Sequence, residues 1–261
     1  MDHIIQHFRK EEQPFIERVM EWQRDVGFRH ISKLTDFLDP REQFIVKAII
    51  GQNEDLALYQ NGVFNNAERQ RILIAPSYYE PNNEDFQINI YSVQYPSKFI
   101  QLKHRDVLGA LLSLGLGRSK FGDIKVANDE IQFAVTSEIA DYIEANLGSV
   151  GKAKVQLSLI GDLAKIIQSN ENWNDKVYTV SSMRLDAILS TVLKISREKS
   201  KMFIQAGKVK VNWTVRESTS FELQEGDILS VSGFGRFKIL LTEGRTKKDK
   251  IRIQIGHLEQ K

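Results

Sequence analysis

The sequence predicts an α+β protein in three parts: an N-terminal α/β segment, a middle segment of mixed strands and helices, and a basic C-terminal module. Three observations predict this. Helical periodicity opens the chain and gives way to paired apolar runs; the middle reads β-α-β-β-α-β; and charge is segregated along the 261 residues. From Met183 to Lys261 there are 16 Lys and Arg against 9 Asp and Glu, whereas residues 1–182 hold 20 against 25, so a module of +7 follows a body of −5 under a chain total of +2. Such segregation is the footprint of a polyanion binder, and equally of a solvated basic face with no partner.

The first part runs to Pro76. "PFIERVMEWQRDVGF" places Phe15, Ile16, Val19 and Trp22 on one helical face, and "DPREQFIVKAIIGQ" runs from a capping Asp39, with Pro40 at the first helical position, to Gly51. "HISKLTDFL" predicts a third short helix between them. "DLALYQNGVFNNAERQRILIAP" then offers two apolar runs around Asn61-Gly62 and Asn65-Asn66, a strand pair with an irregular connection. The acidic, Pro- and Asn-rich "PSYYEPNNEDF" is the expected boundary, giving an N-terminal α/β domain over 1–76.

The middle domain, 82–163, justifies its order element by element. "FQINIYSVQY" alternates as a strand, "HRDVLGALLSLGL" is helical, and "GDIKVAN" and "EIQFAVT" are strands joined at Asn128-Asp129. "SEIADYIEANL" is a helix and "KAKVQLSLI" a strand, which completes the ferredoxin-like unit shared by many RNA-recognition modules. The third strand carries one aromatic, Phe133, too few for bases to stack on that sheet. "GDLAKIIQSNENWNDKVYTVSS" reads as a loose stretch leading to the last domain, 182–261.

In that domain "RLDAILSTVLKI" starts with Arg184 and Asp186 and buries Leu185, Ile188, Leu189 and Val192 at helical spacing. Ser196 caps a second helix, "REKSKMFIQA", that ends at Gly207. Only Met202, Phe203, Ile204 and Ala206 are apolar there, so Arg197, Lys199 and Lys201 point outward. The chain then alternates, with Val209 and Val211 inward and Lys208, Lys210 and Asn212 outward. "FELQEGDILSV" and "GRFKILLTEGR" read as strands that continue the basic edge through Arg236 and Lys238.

These residues carry a resemblance. R-L-D, then S-R, then I-x-x-G-x-V-x-V-N, G-D-I and G-F-G-R-F, in order from Met183 to about Leu240, resemble the RNA-binding S4 domain. The resemblance implies that Arg184, Ser196, Arg197, Lys201, Gln205, Lys208 and Asn212 line an RNA-contacting edge. The chemistry agrees, because a guanidinium offers a planar fork to phosphate and a helix start adds backbone donors. The sequence departs from the common Asn-Gly turn at Asn212-Trp213, where Trp213 either stacks on a base or sugar or caps the domain core. The whole chain, with "HRDVLGALLSLGLGRSKFGDI" in the middle, is similar to the YlmH-like family of bacterial RNA-binding proteins. That similarity implies structured ribosomal RNA of the large subunit and tRNA as partners, a place in ribosome-associated quality control of stalled nascent chains, and a tie to cell division.

The rest of the chain argues against chemistry. There is no Cys, which excludes disulfides, thiol nucleophiles and Cys-ligated metals, and fits a reducing cytoplasm. The start "MDHIIQHFRKEEQPF" does not read as a signal peptide, and no apolar run is long enough for a membrane span. His3, His7, His30, His104 and His257 are scattered, so no metal is expected. His104, Arg105 and Asp106 are neighbours that diverge by about 100° on a helix and make no triad; Asp106 caps the helix and His104 or Arg105 is left for RNA. "GLGRSKFGD" follows a helix instead of a strand and is no phosphate loop, though Arg118 and Lys120 are expected as exposed cations able to touch RNA. The sequence thus predicts a monomeric, non-catalytic RNA binder with no cofactor and no membrane contact. An RNA-modifying enzyme of the pseudouridine synthase kind and an adaptor linking ribosome to partner are the alternatives.

Overall fold

The computed structural model describes residues 8–127, 129–168, 173–246 and 248–258. They divide into two compact units that meet in sequence at Asn170 and Glu171. No helix among the described residues is long and apolar enough to cross a membrane.

In the first unit, α1 (Gln13–Arg29) ends at His30, which turns the chain in the left-handed region with its N–H on the Val26 carbonyl. The segment expected as a third helix is instead strand β1 (Lys33–Leu38). The reason is local: His30 has closed one helix and Asp39 opens the next, so the short run between them finds its backbone partners on a neighbouring strand. Asp39 caps α2 (Pro40–Ile50), its carboxylate accepting from the Glu42 N–H while the Glu42 carboxylate accepts from the Asp39 N–H. Strands β2 (Leu56–Asn61) and β3 (Gln70–Pro76) pair antiparallel, and the three-stranded sheet runs β1-β3-β2. Val19 and Val26 of α1 and Val46 and Ile50 of α2 pack on Ile72 and Ile74 to make its core.

The rest of that unit contains β4 (Ile88–Gln94), α3 (His104–Ser113), β5 (Phe121–Ala127), β6 (Glu130–Thr136), α4 (Ala140–Asn146) and β9 (Gln156–Leu159). The expected last strand is split, because Ala153–Lys154 (β8) pairs with Ser149–Val150 (β7) in a hairpin of its own. The four-stranded sheet runs β5-β6-β4-β9 with every neighbour antiparallel. The turn residue Asn128 lies outside the described residues. One sheet face, bearing Tyr91, Ile131, Phe133 and Val135, packs on Val107 and Leu111 of α3 and Ile143 of α4.

The opposite face is also covered. Phe37 of β1, Phe64 and Ala67 pack on Ile90 and Ala134, and Ile166 closes the same cluster after the chain leaves β9. Gly122 makes this contact possible, since a Cβ there would lie 2.7 Å from the Phe37 ring and 3.0 Å from the Ala134 methyl. The buried Asp123 accepts from the N–H groups of Glu68 at 2.8 Å and Arg69 at 3.0 Å. The Arg69 guanidinium bridges the Phe37 and Phe121 carbonyls.

The second unit is a six-stranded sheet in the order β10-β15-β14-β13-β11-β12. Its strands are β10 (Asn174–Val180), β11 (Val209–Val211), β12 (Thr214–Val215), β13 (Ile228–Val231), β14 (Gly235–Arg245) and β15 (Ile251–Leu258). Part of the stretch expected to be loose is therefore β10, an outer strand whose pairing with the distant β15 no local pattern announces. "FELQEGDILSV" is strand only from Ile228, because Asp227 is buried at the turn and accepts from the Gln224 N–H at 2.8 Å. Two helices, α5 (Leu185–Val192) and α6 (Arg197–Gln205), lay Leu185, Ile188, Leu189 and Ile204 on Val209, Val211, Leu229 and Phe237. The opposite sheet face carries Lys210, Ser230 and Arg236 as cross-strand neighbours.

Candidate nucleic-acid interface

The interface is organised by Asp186, which sits in the first turn of α5 with its side chain 1% exposed. Its carboxylate accepts two guanidinium forks. Arg184 reaches it through Nε at 3.1 Å and Nη2 at 3.2 Å, and Arg197, at the start of α6, through Nε at 3.2 Å and Nη2 at 3.5 Å. The buried Ser200 hydroxyl donates to the Asp186 carbonyl at 2.9 Å and fastens the two helices where the arginines meet. Burial pushes the Asp186 carboxyl up, but the hydrogen bonds from Arg184 and Arg197 outweigh it and hold its pKa below the ordinary value. The same contact raises the pKa of Arg184. One buried anion thus orients two cations whose side chains remain 39% and 50% exposed, with further N–H groups left for phosphate.

Arg197, Lys201 and Gln205 recur every four residues and form one stripe along α6. Ser196 caps this helix as expected, accepting from the Lys199 N–H at 3.2 Å. Lys199 is two residues beyond Arg197 and lies about 200° around the helix, away from the stripe. Lys201 pairs with the exposed Glu198 at 3.3 Å, and Lys208 lies over the Phe203 ring at 5.4 Å.

The single continuous edge expected from sequence is divided in the structure. Lys210 and Arg236 are two strands apart on the sheet face opposite α5 and α6, about 10 Å from each other, with Arg236 over the Trp173 ring. Asn212 does not point freely outward. Its amide Nδ2 donates to Asp227 at 2.9 Å and its Oδ1 accepts from the Ile228 N–H at 2.9 Å, so it binds the turn to β13. Trp213 does not cap the core either: it is 42% exposed and belongs to none of the apolar clusters. Asn212 and Trp213 have φ of 48° and 64°, the two left-handed positions of a tight hairpin between β11 and β12. Asparagine tolerates that conformation, whereas in tryptophan it costs about 1 kcal/mol.

The four secondary candidates separate in the same way. His104 and Arg105 are exposed at the start of α3, where Asp106 accepts from the Lys103 N–H at 2.9 Å as the expected cap. Arg118 is turned inward onto the Phe121 and Gly122 carbonyls, and burial, then the nearby Arg69 charge, bring its pKa down to about 10. Lys120 is held by Asp36 at 2.9 Å and by Glu138. Neither is the exposed cation the sequence suggested, because each lies where β1 packs on the middle sheet and finds its acceptors there. Sequence reading also missed Asp186 as an organiser; its signal is the Arg-x-Asp spacing at 184–186. It missed Arg69 and Asp123 too, for which no local signal exists. Among the described residues no three His, Asp or Glu groups converge on a metal site, and His3 and His7 lie outside them.

Family models match along most of the chain: "YlmH, N-terminal" over residues 11–79, "Putative RNA-binding domain in YlmH" over 81–162, and "S4 domain" over 183–229. The chain belongs to the YlmH family. It is 44% identical over 253 residues to the ribosome-associated protein quality control protein P2 of Bacillus subtilis, covering 97% of this chain and 98% of that one. A solved structure, the cell division protein ylmH from Streptococcus pneumoniae, covers 62% of this chain and 98% of its own at 31% identity and a TM-score of 0.53. The S4 match takes in Asp186, both arginines and the whole α6 stripe.

Proposed function

We propose that the protein is a non-catalytic RNA binder that docks on structured ribosomal RNA and tRNA at the large ribosomal subunit, in the quality control of stalled nascent chains. The observation that carries this is the Asp186 fork, which fixes Arg184 and Arg197 beside Lys201 and Gln205 inside an S4 domain. Contacts of this kind grip phosphates and give affinity, while the shape of a folded RNA supplies selectivity. The ribosomal setting is supported by the name of the Bacillus relative and by its near full-length similarity.

The test is ribosome co-sedimentation of Arg197→Ala/Lys201→Ala, which leaves Arg184 on the buried carboxylate and so avoids orphaning it. Loss of co-sedimentation with no more than a small drop in melting temperature is expected, since Arg184 still pairs with Asp186; full retention refutes the assignment. Crosslinking followed by sequencing then locates the bound RNA.

An adaptor role is favoured by one specific observation, the exposed Phe28 and Ile31 at the end of α1, beside a groove lined by Glu21, Trp22, Asp25 and Arg29. Removing residues 1–76 would uncover the middle sheet, so the discriminating variant is Phe28→Ser/Ile31→Ser. Under the adaptor reading it keeps ribosome binding and loses function in cells.

A further inference from the structure

The hairpin joining β11 to β12 has a residue that its own turn does not require. Both central positions of this two-residue turn are left-handed, and the second is the position where a side chain is least welcome. Asn212 already fixes the turn with three hydrogen bonds: its N–H donates to the Ile228 carbonyl, its Oδ1 accepts from the Ile228 N–H, and its Nδ2 donates to Asp227. Trp213 adds nothing to that arrangement. Its indole takes part in no hydrogen bond, ring contact or apolar cluster among the described residues, and it stands exposed at the tip. A large aromatic is therefore held in an unfavourable backbone conformation with 42% of its surface left open to solvent.

We infer that Trp213 is a stacking platform for an unpaired nucleobase of the bound RNA. The setting decides between this and an apolar protein contact. The ring projects from a module of net charge +7, three residues past the exposed Lys210, so a polyanion is what this surface attracts. Every base offers a flat face, and stacking on an exposed aromatic supplies affinity without reading sequence. Local strain retained at an exposed position is where a binding role is expected. The result is a division of labour: Arg184, Arg197 and Lys201 grip phosphates of a folded region, while Trp213 requires that a base beside it be splayed out. This inference rests on the RNA-binding reading of the S4 domain.

The experiment compares full-length protein with Trp213→Gly, Trp213→Phe and Arg197→Ala/Lys201→Ala. Each is titrated with purified ribosomes, with single-stranded oligouridylate and with a fully paired RNA duplex. Trp213→Gly restores the residue the turn prefers, so it is expected to raise the melting temperature by a few degrees. It should weaken oligouridylate and ribosome binding about ten-fold, leave duplex binding unchanged, and keep the salt dependence, since no phosphate contact is lost. Trp213→Phe should retain most of the affinity. A lower melting temperature in Trp213→Gly, or equal losses on duplex and single strand, overturns the stacking role. If Trp213→Gly binds like the parent while Arg197→Ala/Lys201→Ala does not, stacking fails and the RNA-binding reading stands. If the cationic variant also binds normally, that reading fails with it.

Discussion

Two regions of this chain present Arg and Lys side chains beside a sheet, and they do opposite things with them. In the C-terminal unit Asp186 takes Arg184 and Arg197 by one edge each and leaves both about half exposed. In the N-terminal unit Arg69 and Arg118 spend their donors on the Phe37, Phe121 and Gly122 carbonyls, and Lys120 is neutralised by Asp36 and Glu138. The acceptors account for the difference. Backbone carbonyls at a packed junction consume a guanidinium, whereas one buried carboxylate shared by two guanidiniums orients them and leaves donors over. A basic residue count therefore says little about an RNA surface until the acceptors are known.

The largest expected contrast follows from this difference. Arg197→Ala/Lys201→Ala should weaken RNA binding roughly 30-fold at physiological salt, and flatten the slope of log affinity against log salt by about 2. Arg118→Ala should leave both unchanged and lower the melting temperature of the N-terminal unit instead, because it takes the guanidinium donors from the Gly122 carbonyl and leaves the Phe121 carbonyl to Arg69 alone. Equal loss of RNA binding in the two variants would erase the distinction.

The middle sheet supplies the next test. Its face opposite α3 and α4 is closed by Phe37, Phe64, Ala67 and Ile166, so it is not available for bases to stack on. Gly122→Ala would push a methyl into the Phe37 ring and should cost about 2 kcal/mol, roughly 4–8 °C in melting temperature, read by thermal denaturation of the full chain. A neutral substitution would mean that the two layers are not tightly packed.

How much of this was legible depended on how local the cause was. The α5–α6 pair was legible because Leu185, Ile188 and Leu189 recur at helical spacing, Ser196 caps and Gly207, at φ 67°, closes. The succession of strands and helices in the middle segment was legible from alternation and helical spacing, apart from the last strand, which is split by the β7–β8 hairpin, and Phe133 as the only third-strand aromatic already argued against stacking there. β1 was not, because "HISKLTDFL" is too short to show a period and its partner β3 lies some 35 residues away. Nor was β10, which pairs with β15 across about 77 residues. The candidate site followed the same rule: the outward placement of Arg184, Arg197 and Lys201 on the helix pair could be read, but their division from Lys210 and Arg236 depends on which sheet face each occupies. The inward turn of Arg118 depends on carbonyls supplied by another strand.

The sharpest way to break the comparison is Asp186→Asn, although its effect is the smallest. If the S4 edge worked by net charge alone, removing an anion from it would tighten RNA binding. If Asp186 acts by orienting Arg184 and Arg197, the same change loosens both forks and weakens binding about three- to five-fold, and that is the expected result. The pH dependence gives a second readout. The folded pKa of Asp186 is below its ordinary value, so its stabilising contribution is present above about pH 4 and is lost as pH falls through the lower folded pKa. Asp186→Asn has no proton to take up, so the acid limb of the C-terminal unit's stability profile should flatten while the neutral-pH stability drops. An unchanged acid limb with tighter RNA binding would reduce Asp186 to a bystander and leave the arginines as ordinary surface charges.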